Sequence, residues 1–535
     1  MPASMVIRGG TVLDGTGAPG RRADVVLDAG RVVALEPSLD GVGDVDAEVL
    51  DATGYAVAPG FVNVLSHAWG SLQLDPSGAS DLLQGVTTEV FGEAFSLGPG
   101  GPEFAEFMTS WDIGDGAVID FPRLSAGLDH LERGGLAPNV ASFVGGHNLR
   151  ILGAGFADGP MEPAALDRVR GVLAEEMADG ALGVGTALIY APGSFAGTDE
   201  LVALCEVAGR HGGMYISHLR SEAARLIESI DELLEIGRRA ELPAEVYHLK
   251  AAGRPHWPAM RLAVDRIEAA RAAGQPVTAN MYPYTAGGTS LASCIPPPYH
   301  VGGPQALAER LTDPEQRARM AADIRGWSAD WENLYLGAGG GGGVLFFADL
   351  ADGTPARGRR LSELAADLDL DEVEALLEIV ARDLSVGAGF FLIDEENIRL
   401  GLRRPWVSVG SDGEAHPAVA PWTDSATHPR TYGTFARVLG RFSRELGLFP
   451  LAEAVRKMTS LPADTLRLRD RGRLASGSYA DVVVFDPATV TDHATYADPH
   501  RYASGVRDVL VNGVPVVRDG ELTGATPGRR LCRAA

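Results

Sequence analysis

Residues 182–248 carry the pattern that decides the fold: LGVGT (182–186), then TDELVALCEVAGRH (198–211), then YISH (215–218) and VYH (246–248). The three short apolar runs have the length of buried strands, and the longer stretch has the length and composition of a helix. The same alternation continues through residues 59–466. Repeated strand–helix units predict a parallel sheet of the α/β class, most simply a (β/α)8 barrel over 59–466.

Both ends of the chain differ from the middle because they contain only short strand-like runs. ADVVLD (23–28) near the start and ADVVVFD (480–486) near the end are examples, and Asn512-Gly513 between two apolar runs predicts a hairpin. We therefore expect residues 1–58 and 467–535 to fold together as a small β-sandwich. Residues 296–345, with the run GAGGGGG (337–343), break the rhythm and predict an inserted subdomain over the barrel mouth.

Composition limits the classes of binding partner and the cellular compartment that we expect for this protein. The chain has 535 residues and a net charge of −25, so it should repel nucleic acid and anionic membranes and favour a small-molecule substrate. Three cysteines without a CxxC pair argue against a disulfide framework. We find neither a signal-peptide pattern nor an apolar run of the ~20 residues that a membrane helix needs. The expected location is the cytoplasm, and a homo-oligomer stays open.

Titratable side chains stand at the ends of successive predicted strands. In a barrel enzyme the reactive groups lie at the C-terminal ends of the strands, so this coincidence predicts a polar active site. Four of the 12 histidines occupy such positions. The six residues are His67, Glu93, His147, His218, His248 and Asp412.

These residue types indicate metal-assisted hydrolysis. Neutral imidazole and carboxylate are ligands that suit zinc when one coordination position stays open for water. Zinc lowers the pKa of that water toward ~7, and a nearby carboxylate then takes the proton and passes it to a leaving amine. Asp412, in Gly410-Ser-Asp-Gly413, is our candidate for this general base and acid.

The sequence resembles the amidohydrolase superfamily, and more closely its D-aminoacylase or N-acyl-D-amino-acid deacylase branch. The resemblance covers nearly the whole chain and is weakest over 296–345. It rests on PGF (59–61), ALGVGTALIYAPG (181–193), YISHLRSE (215–222), YHLK (247–250), YPYTAG (282–287), GSDG (410–413), HPRTYGTF (428–435) and RKMTSLPA (456–463).

The resemblance implies a zinc ion at the barrel mouth and hydrolysis of a linear amide in an N-acyl-D-amino acid or a similar D-configured substrate. By position, His218 and His248 match the family's metal ligands, and Asp412 matches its catalytic aspartate. Tyr190 and Lys250 match residues that bind the substrate carboxylate.

Three departures from the family pattern modify this expectation. Leu65 replaces the first histidine of a His-x-His pair, and Ala94 replaces a metal-binding cysteine. We therefore expect one tightly bound zinc and a second site that is weak or absent. Glu93 is either the substitute anionic ligand or a carboxylate that supports the ligand histidines from behind.

The third departure is the stretch 289–299, which lacks an arginine that related deacylases use for a carboxylate. A bulkier amide, a D-amino-acid-containing peptide or a natural-product intermediate therefore fits as well as an N-acyl-D-amino acid. The remaining candidates are His67, His147 and Ser290. His67 is a further metal ligand, a residue that orients water or a hydrogen-bond partner, and His147 and Ser290 are expected to bind substrate. Two other functions stay open: a catalytically silent scaffold that has lost metal ligands, and a cyclic amide hydrolase or lyase that uses the same site.

Overall fold

A computed structural model describes residues 4–37, 47–110 and 116–533. Its strands, in chain order, are β1 (Met5–Val12), β2 (Arg21–Asp28), β3 (Arg31–Glu36), β4 (Glu48–Asp51), β5 (Ala56–Pro59), β6 (Phe61–Asn63), β7 (Val86–Phe91), β8 (Asn139–Ser142), β9 (Val144–Gly145), β10 (Gly183–Ala187), β11 (Met214–His218), β12 (Ala244–Val246), β13 (Val277–Met281), β14 (Gly287–Ser290), β15 (Val344–Phe346), β16 (Gly387–Phe390), β17 (Val407–Val409), β18 (Val482–Phe485), β19 (Val506–Val511), β20 (Val514–Arg518) and β21 (Glu521–Leu522).

The helices alternate with the strands in the middle of the chain. They are α1 (Ser71–Leu74), α2 (Ala79–Leu82), α3 (Pro102–Ser110), α4 (Leu124–Gly134), α5 (Gly146–Ala154), α6 (Pro163–Ala178), α7 (Thr198–Arg210), α8 (Leu226–Arg239), α9 (Ala259–Ala272), α10 (Gly303–Thr312), α11 (Pro314–Arg325), α12 (Leu334–Gly337), α13 (Leu361–Asp367), α14 (Glu372–Arg382), α15 (Glu395–Leu402), α16 (Arg430–Arg437), α17 (Leu451–Met458) and α18 (Ser460–Thr465). A π-helical turn, Val438–Glu445, continues α16.

Eight parallel barrel strands form the centre of the molecule. One run pairs β6, β7 and β8, and another pairs β9, β10, β11, β12, β13 and β17, all in parallel. The strands β8 and β9 are two halves of one barrel strand, separated by Phe143. The last strand returns to the first, because the Asp412 N–H donates to the Leu65 carbonyl (2.9 Å) and the His67 N–H donates to the Gly413 carbonyl (2.8 Å). The predicted (β/α)8 barrel is confirmed.

The two chain ends share one sheet. Its strand order is β21-β20-β19-β18-β5-β1-β2-β3, with β4 paired to β1. The junction between the two halves is the antiparallel pair β5–β18. Alternate side chains on these strands, including Ile7, Val25 and Val482, are buried in one core cluster. The shared β-unit was predicted from the sequence, and its strands form one continuous sheet of nine.

The insertion lies between the last two barrel strands, β13 and β17. It contains the antiparallel sheet β14-β16-β15 and the helices α10 to α14, so it spans residues 287–390. The predicted bounds of 296–345 were therefore too narrow at both ends. The strands β15 and β16 are apolar in sequence, like barrel strands. They are recognised as part of the insertion only because they pair with each other antiparallel.

No helix in the described ranges is both long enough and apolar enough to span a membrane.

Candidate metal and active site

The candidate side chains reach one edge of the barrel because they follow its strands. His218 is the last residue of β11, while Glu93, His248 and Asp412 follow β7, β12 and β17 by two or three residues. His248 and Asp412 adopt left-handed backbone conformations, with φ of 32° and 54°. Such conformations cost non-glycine residues energy and are found where a site requires a specific side-chain direction. The barrel rim thus gathers five predicted site residues, with His67 as the fifth.

A cavity of about 990 Å³ opens at this rim. Its wall includes His67, Glu93, His218, His248 and Asp412, and also the predicted substrate residues Tyr190, Lys250 and Ser290. The insertion forms a large part of the outer wall through residues 287–300 and 322–334. The structure therefore brings together the sequence-derived candidates in one cavity, with His147 as the exception.

Three ligand-type atoms converge on one point of the cavity floor. Glu93 Oε1 lies 3.2 Å from His218 Nδ1 and 2.9 Å from His248 Nε2. All three side chains are buried, and their ligand atoms lie within 4.8 Å of one another. One carboxylate with two imidazoles is a donor set that zinc accepts, so these residues fit the metal that the sequence pattern implies.

A second group shares Glu93 with the first. His67 Nε2 lies 3.2 Å from Glu93 Oε2 and 3.0 Å from Asp412 Oδ1. This group is more open, because 35% of the His67 side chain is exposed. Leu65 and Ala94, where the family pattern has histidine and cysteine, add no ligand atom to it.

Glu222 contacts the other nitrogen of each metal-type histidine. Its Oε1 lies 3.1 Å from His248 Nδ1, and its Oε2 lies 3.3 Å from His218 Nε2. Both oxygens also accept from Lys250 Nζ at 2.7 Å. A carboxylate behind a ligand histidine fixes the orientation of the ring and strengthens metal binding. Glu222 is placed to do this for both rings at once.

Negative charge dominates the cavity floor and shifts the pKa values of the histidines. Burial lowers the pKa of His67, but the nearby Asp412 and Glu93 outweigh it and raise that pKa to about 10. Burial likewise opposes the charged form of His218, while Glu222 and Glu93 raise its pKa to about 9. The carboxylates thus stabilise added positive charge here, which is what a divalent cation would supply.

Asp412 holds two partners at once. Its Oδ1 accepts from His67, and its Oδ2 accepts from Arg430 Nη1 at 2.5 Å. Burial alone would raise the pKa of the Asp412 carboxyl, but the Arg430 guanidinium and the His67 hydrogen bond lower it below its usual value. Asp412 is therefore ionised at neutral pH, as a proton acceptor must be.

Neutral hydroxyl groups line the wall beside these charges. The Tyr190 ring lies 5.4 Å from the His218 ring, and burial raises the pKa of its phenol, so it keeps its proton. The same holds for Tyr282, whose ring lies 5.0 Å from the Arg430 guanidinium. Ser290 also lines the cavity, but its hydroxyl donates to the Leu384 carbonyl and caps a short 3-10 turn.

His147 is a correction to the sequence analysis. It was expected to contact the substrate, but it is fully buried and does not line the cavity. Its ring packs 4.8 Å from that of Phe95 and lies against the backbone of Tyr190 and Ala191. His147 follows closely after β9 and lies in the first turn of α5. This turn directs the imidazole ring into the packed interior behind the cavity wall.

Sequence reasoning missed four residues that the structure places at the site: Glu222, Tyr282, Glu332 and Arg430. Three of them lie in the motifs YISHLRSE, YPYTAG and HPRTYGTF, so the motifs themselves were the available signal. Glu332 comes from the insertion, and its Oε2 accepts from the backbone N–H of Glu222 at 2.7 Å. No local pattern marks it.

Comparison with known proteins shows what this chain is similar to. The model of the amidohydrolase family matches residues 395–517. The D-aminoacylase of Alcaligenes xylosoxydans xylosoxydans is 34% identical over 100% of this chain and 98% of its own length. The N-acyl-D-aspartate deacylase of the same organism is also 34% identical, over 99% of this chain and 95% of its own.

A solved structure shows the same architecture with a metal. The N-acyl-D-glutamate deacylase of Bordetella bronchiseptica superposes with a TM-score of 0.82, at 29% identity, covering 99% of this chain and 100% of that one. That crystal structure contains zinc and a phosphonate inhibitor that mimics the tetrahedral intermediate of its reaction.

Proposed function

Because the chain belongs to the amidohydrolase family, in the branch of the D-aminoacylases and N-acyl-D-amino-acid deacylases, we propose that it hydrolyses the linear amide bond of an N-acyl-D-amino acid with the help of zinc. The observation that carries the proposal is the convergence of Glu93, His218 and His248 beside an ionised Asp412 in one cavity. A silent scaffold has no need for this arrangement.

Glu93, His218 and His248 are the residues that would hold the zinc ion. When bound, zinc supplies Lewis-acid polarisation of the amide carbonyl and lowers the pKa of a coordinated water. The site favours one tightly held ion, because the second group has the half-exposed His67 as its one histidine and shares Glu93 with the first.

Asp412 is the proposed general base and acid. It takes the proton from the attacking water and delivers it to the nitrogen of the departing amine. Arg430 and His67 hold its two oxygens and keep it ionised until that transfer. His67 thus positions Asp412, whether or not it also contacts a metal.

Arg430 is the proposed partner of the substrate carboxylate. Lys250, which the sequence pattern assigned to this role, directs its ammonium to both oxygens of Glu222 and to His248 Nδ1 at 2.7 Å. An arginine has five N–H donors, and Arg430 uses one on Asp412 and one on the Gly288 carbonyl. Arg430 therefore has donors left for a carboxylate, with the Tyr190 and Tyr282 hydroxyls on the same wall.

The proposed location remains the cytoplasm. Supporting this, Cys205, Cys294 and Cys532 are all free in the structure, as thiols are in a reducing compartment.

Metal quantitation combined with a chiral assay tests the proposal. The purified protein should contain about one zinc per chain and hydrolyse N-acetyl-D-amino acids faster than the L-enantiomers. His218→Asn should lose both zinc and turnover, whereas His211→Asn, at the C-terminal end of α7 and outside the cavity, should keep both. A protein that takes up no zinc after supplementation would favour the silent scaffold.

A further inference from the structure

We infer that the substrate carries a single negative charge and a bulky, uncharged side chain, so that N-acyl-D-amino acids with a second carboxylate are rejected. The inference rests on the proposed deacylase function and concerns which members of that substrate class the cavity accepts. It sets this chain apart from relatives named for aspartate and glutamate derivatives.

The charge inventory of the cavity wall provides the first argument. In the part of the chain that the structure describes, three Lys or Arg side chains line it. Each already pairs with a carboxylate of the protein: Arg220 with Glu232, Lys250 with Glu222, and Arg430 with Asp412. The α-carboxylate of the substrate would occupy the remaining donors of Arg430. A second carboxylate would then find no free lysine or arginine in the described wall.

The acidic residues of the wall strengthen this exclusion. Among the described residues, eight Asp or Glu side chains line the cavity, against those three cations. Glu332 is the strongest example, because it is 7% exposed and accepts from the backbone N–H of Glu222, which is 2% exposed. An additional buried carboxylate near this pair would be desolvated without a partner, which is costly.

The outer wall provides the second argument, because it is aromatic. Phe95 and Phe107 pack with ring centroids 5.4 Å apart, and the insertion contributes Tyr299, Trp327 and Trp331 to the same cavity. Trp327 lines the cavity and is 53% exposed, so its indole ring is available to a bound apolar group.

The cavity volume agrees with a large substrate. About 990 Å³ lies at the upper end of the range for sites that bind ligands of drug size. An acetylated small amino acid would leave much of that space and the aromatic wall without contact. A substrate with an aromatic or long aliphatic group would cover both.

The test uses the zinc-loaded full-length enzyme and pairs of substrates that differ in one property. N-acetyl-D-glutamine and N-acetyl-D-glutamate have the same shape and differ by one charge. We expect kcat/KM to be about 100-fold or more higher for the glutamine compound. N-acetyl-D-tryptophan should exceed N-acetyl-D-alanine by about tenfold or more.

Two variants locate the effects. Trp327→Ala should reduce kcat/KM for the tryptophan compound and leave the alanine compound near its original value, while Leu262→Ala, on the exposed face of α9, should change neither. Burial and the neighbouring Glu222 raise the pKa of Glu332 to about 7, so the wall has its full negative charge only above that pH. In assays above pH 8, Glu332→Gln should therefore narrow the difference between the glutamine and glutamate compounds, because it removes that negative charge.

The outcomes separate this inference from the proposed function. Turnover of N-acetyl-D-glutamate within fivefold of its amide would overturn the inference while leaving the deacylase function intact. If the zinc-loaded enzyme turned over none of the compounds, the deacylase proposal would fail instead. In that case the unmodified zinc-loaded enzyme would leave both compounds intact, so calorimetric binding of the same pair to it would still decide the charge preference, and equal affinities would contradict it.

Discussion

Replacing Glu222 by glutamine gives the sharpest test of how the site is held together. Glu222 is 2% exposed and accepts from Lys250 at 2.7 Å with both oxygens. Glu222→Gln leaves the Lys250 ammonium buried, with one neutral amide oxygen in place of a carboxylate. Breaking a buried ion pair from one side costs about 3–5 kcal/mol of folding free energy. We expect the metal-free variant to lose an amount in this range.

The same substitution should weaken zinc binding by a separate route. Glu222 contacts one nitrogen of His218 and one of His248, and losing a partner behind a ligand histidine reduces metal affinity by about 10- to 100-fold. Adding Lys250→Met to Glu222→Gln removes the unpaired cation. The double variant should therefore recover most of the stability and none of the zinc affinity.

Equilibrium urea unfolding of metal-free protein measures the first effect, and zinc competition against a chelator measures the second. The coupling between the two substitutions is obtained from the double-mutant cycle. A Glu222→Gln variant as stable as the original protein, or a double variant as unstable as the single one, would show that the Lys250–Glu222 pair does not have the role we assign to it.

Two further predictions address single residues. The Asp412→Asn variant should keep its zinc, but its kcat should fall by about 100- to 10,000-fold, because a positioned general base contributes that much. If metal quantitation showed that zinc is lost together with activity, Asp412 would be mainly a metal ligand. His147 has its pKa lowered to about 3 by burial, so the unfolded chain binds a proton below pH ~6.5 that the folded protein does not. Stability is thus lost as pH falls, by about 2 kcal/mol between pH 6.5 and 4.5, and His147→Gln should remove this loss in pH-dependent unfolding while KM stays unchanged.

The barrel and most of the candidate site could be predicted from the sequence, because both depend on local patterns. His218, His248 and Asp412 could be identified since each ends a short apolar run, and parallel strands of a barrel all end at the same rim. His147 satisfied the same rule and was misjudged, because the chain turns into α5 at once and buries the ring. A strand end gives a position on the rim but not the direction of the side chain.

Contacts between distant parts of the chain could not be predicted from such local patterns. Glu332 reaches the site only because the insertion folds over the mouth, and its partner Glu222 lies 110 residues earlier. Arg430 was visible in a motif, but its pairing with Asp412 depends on how the loop between them folds. The bounds of the insertion were missed for a related reason: β15 and β16 resemble barrel strands until their antiparallel partners are known.

The sheet shared by both chain ends has a consequence for how the protein is made. The β5 strand pairs with β18, which lies about 420 residues further along the chain. At the usual ribosomal speed of ~5–20 residues per second, the exposed edge of β5 waits roughly 20–80 seconds for its neighbour. During that interval it is an open template for pairing with another nascent chain. Slowing translation should therefore reduce the yield of soluble protein more for this chain than for a protein of the same length whose strands pair in sequence order.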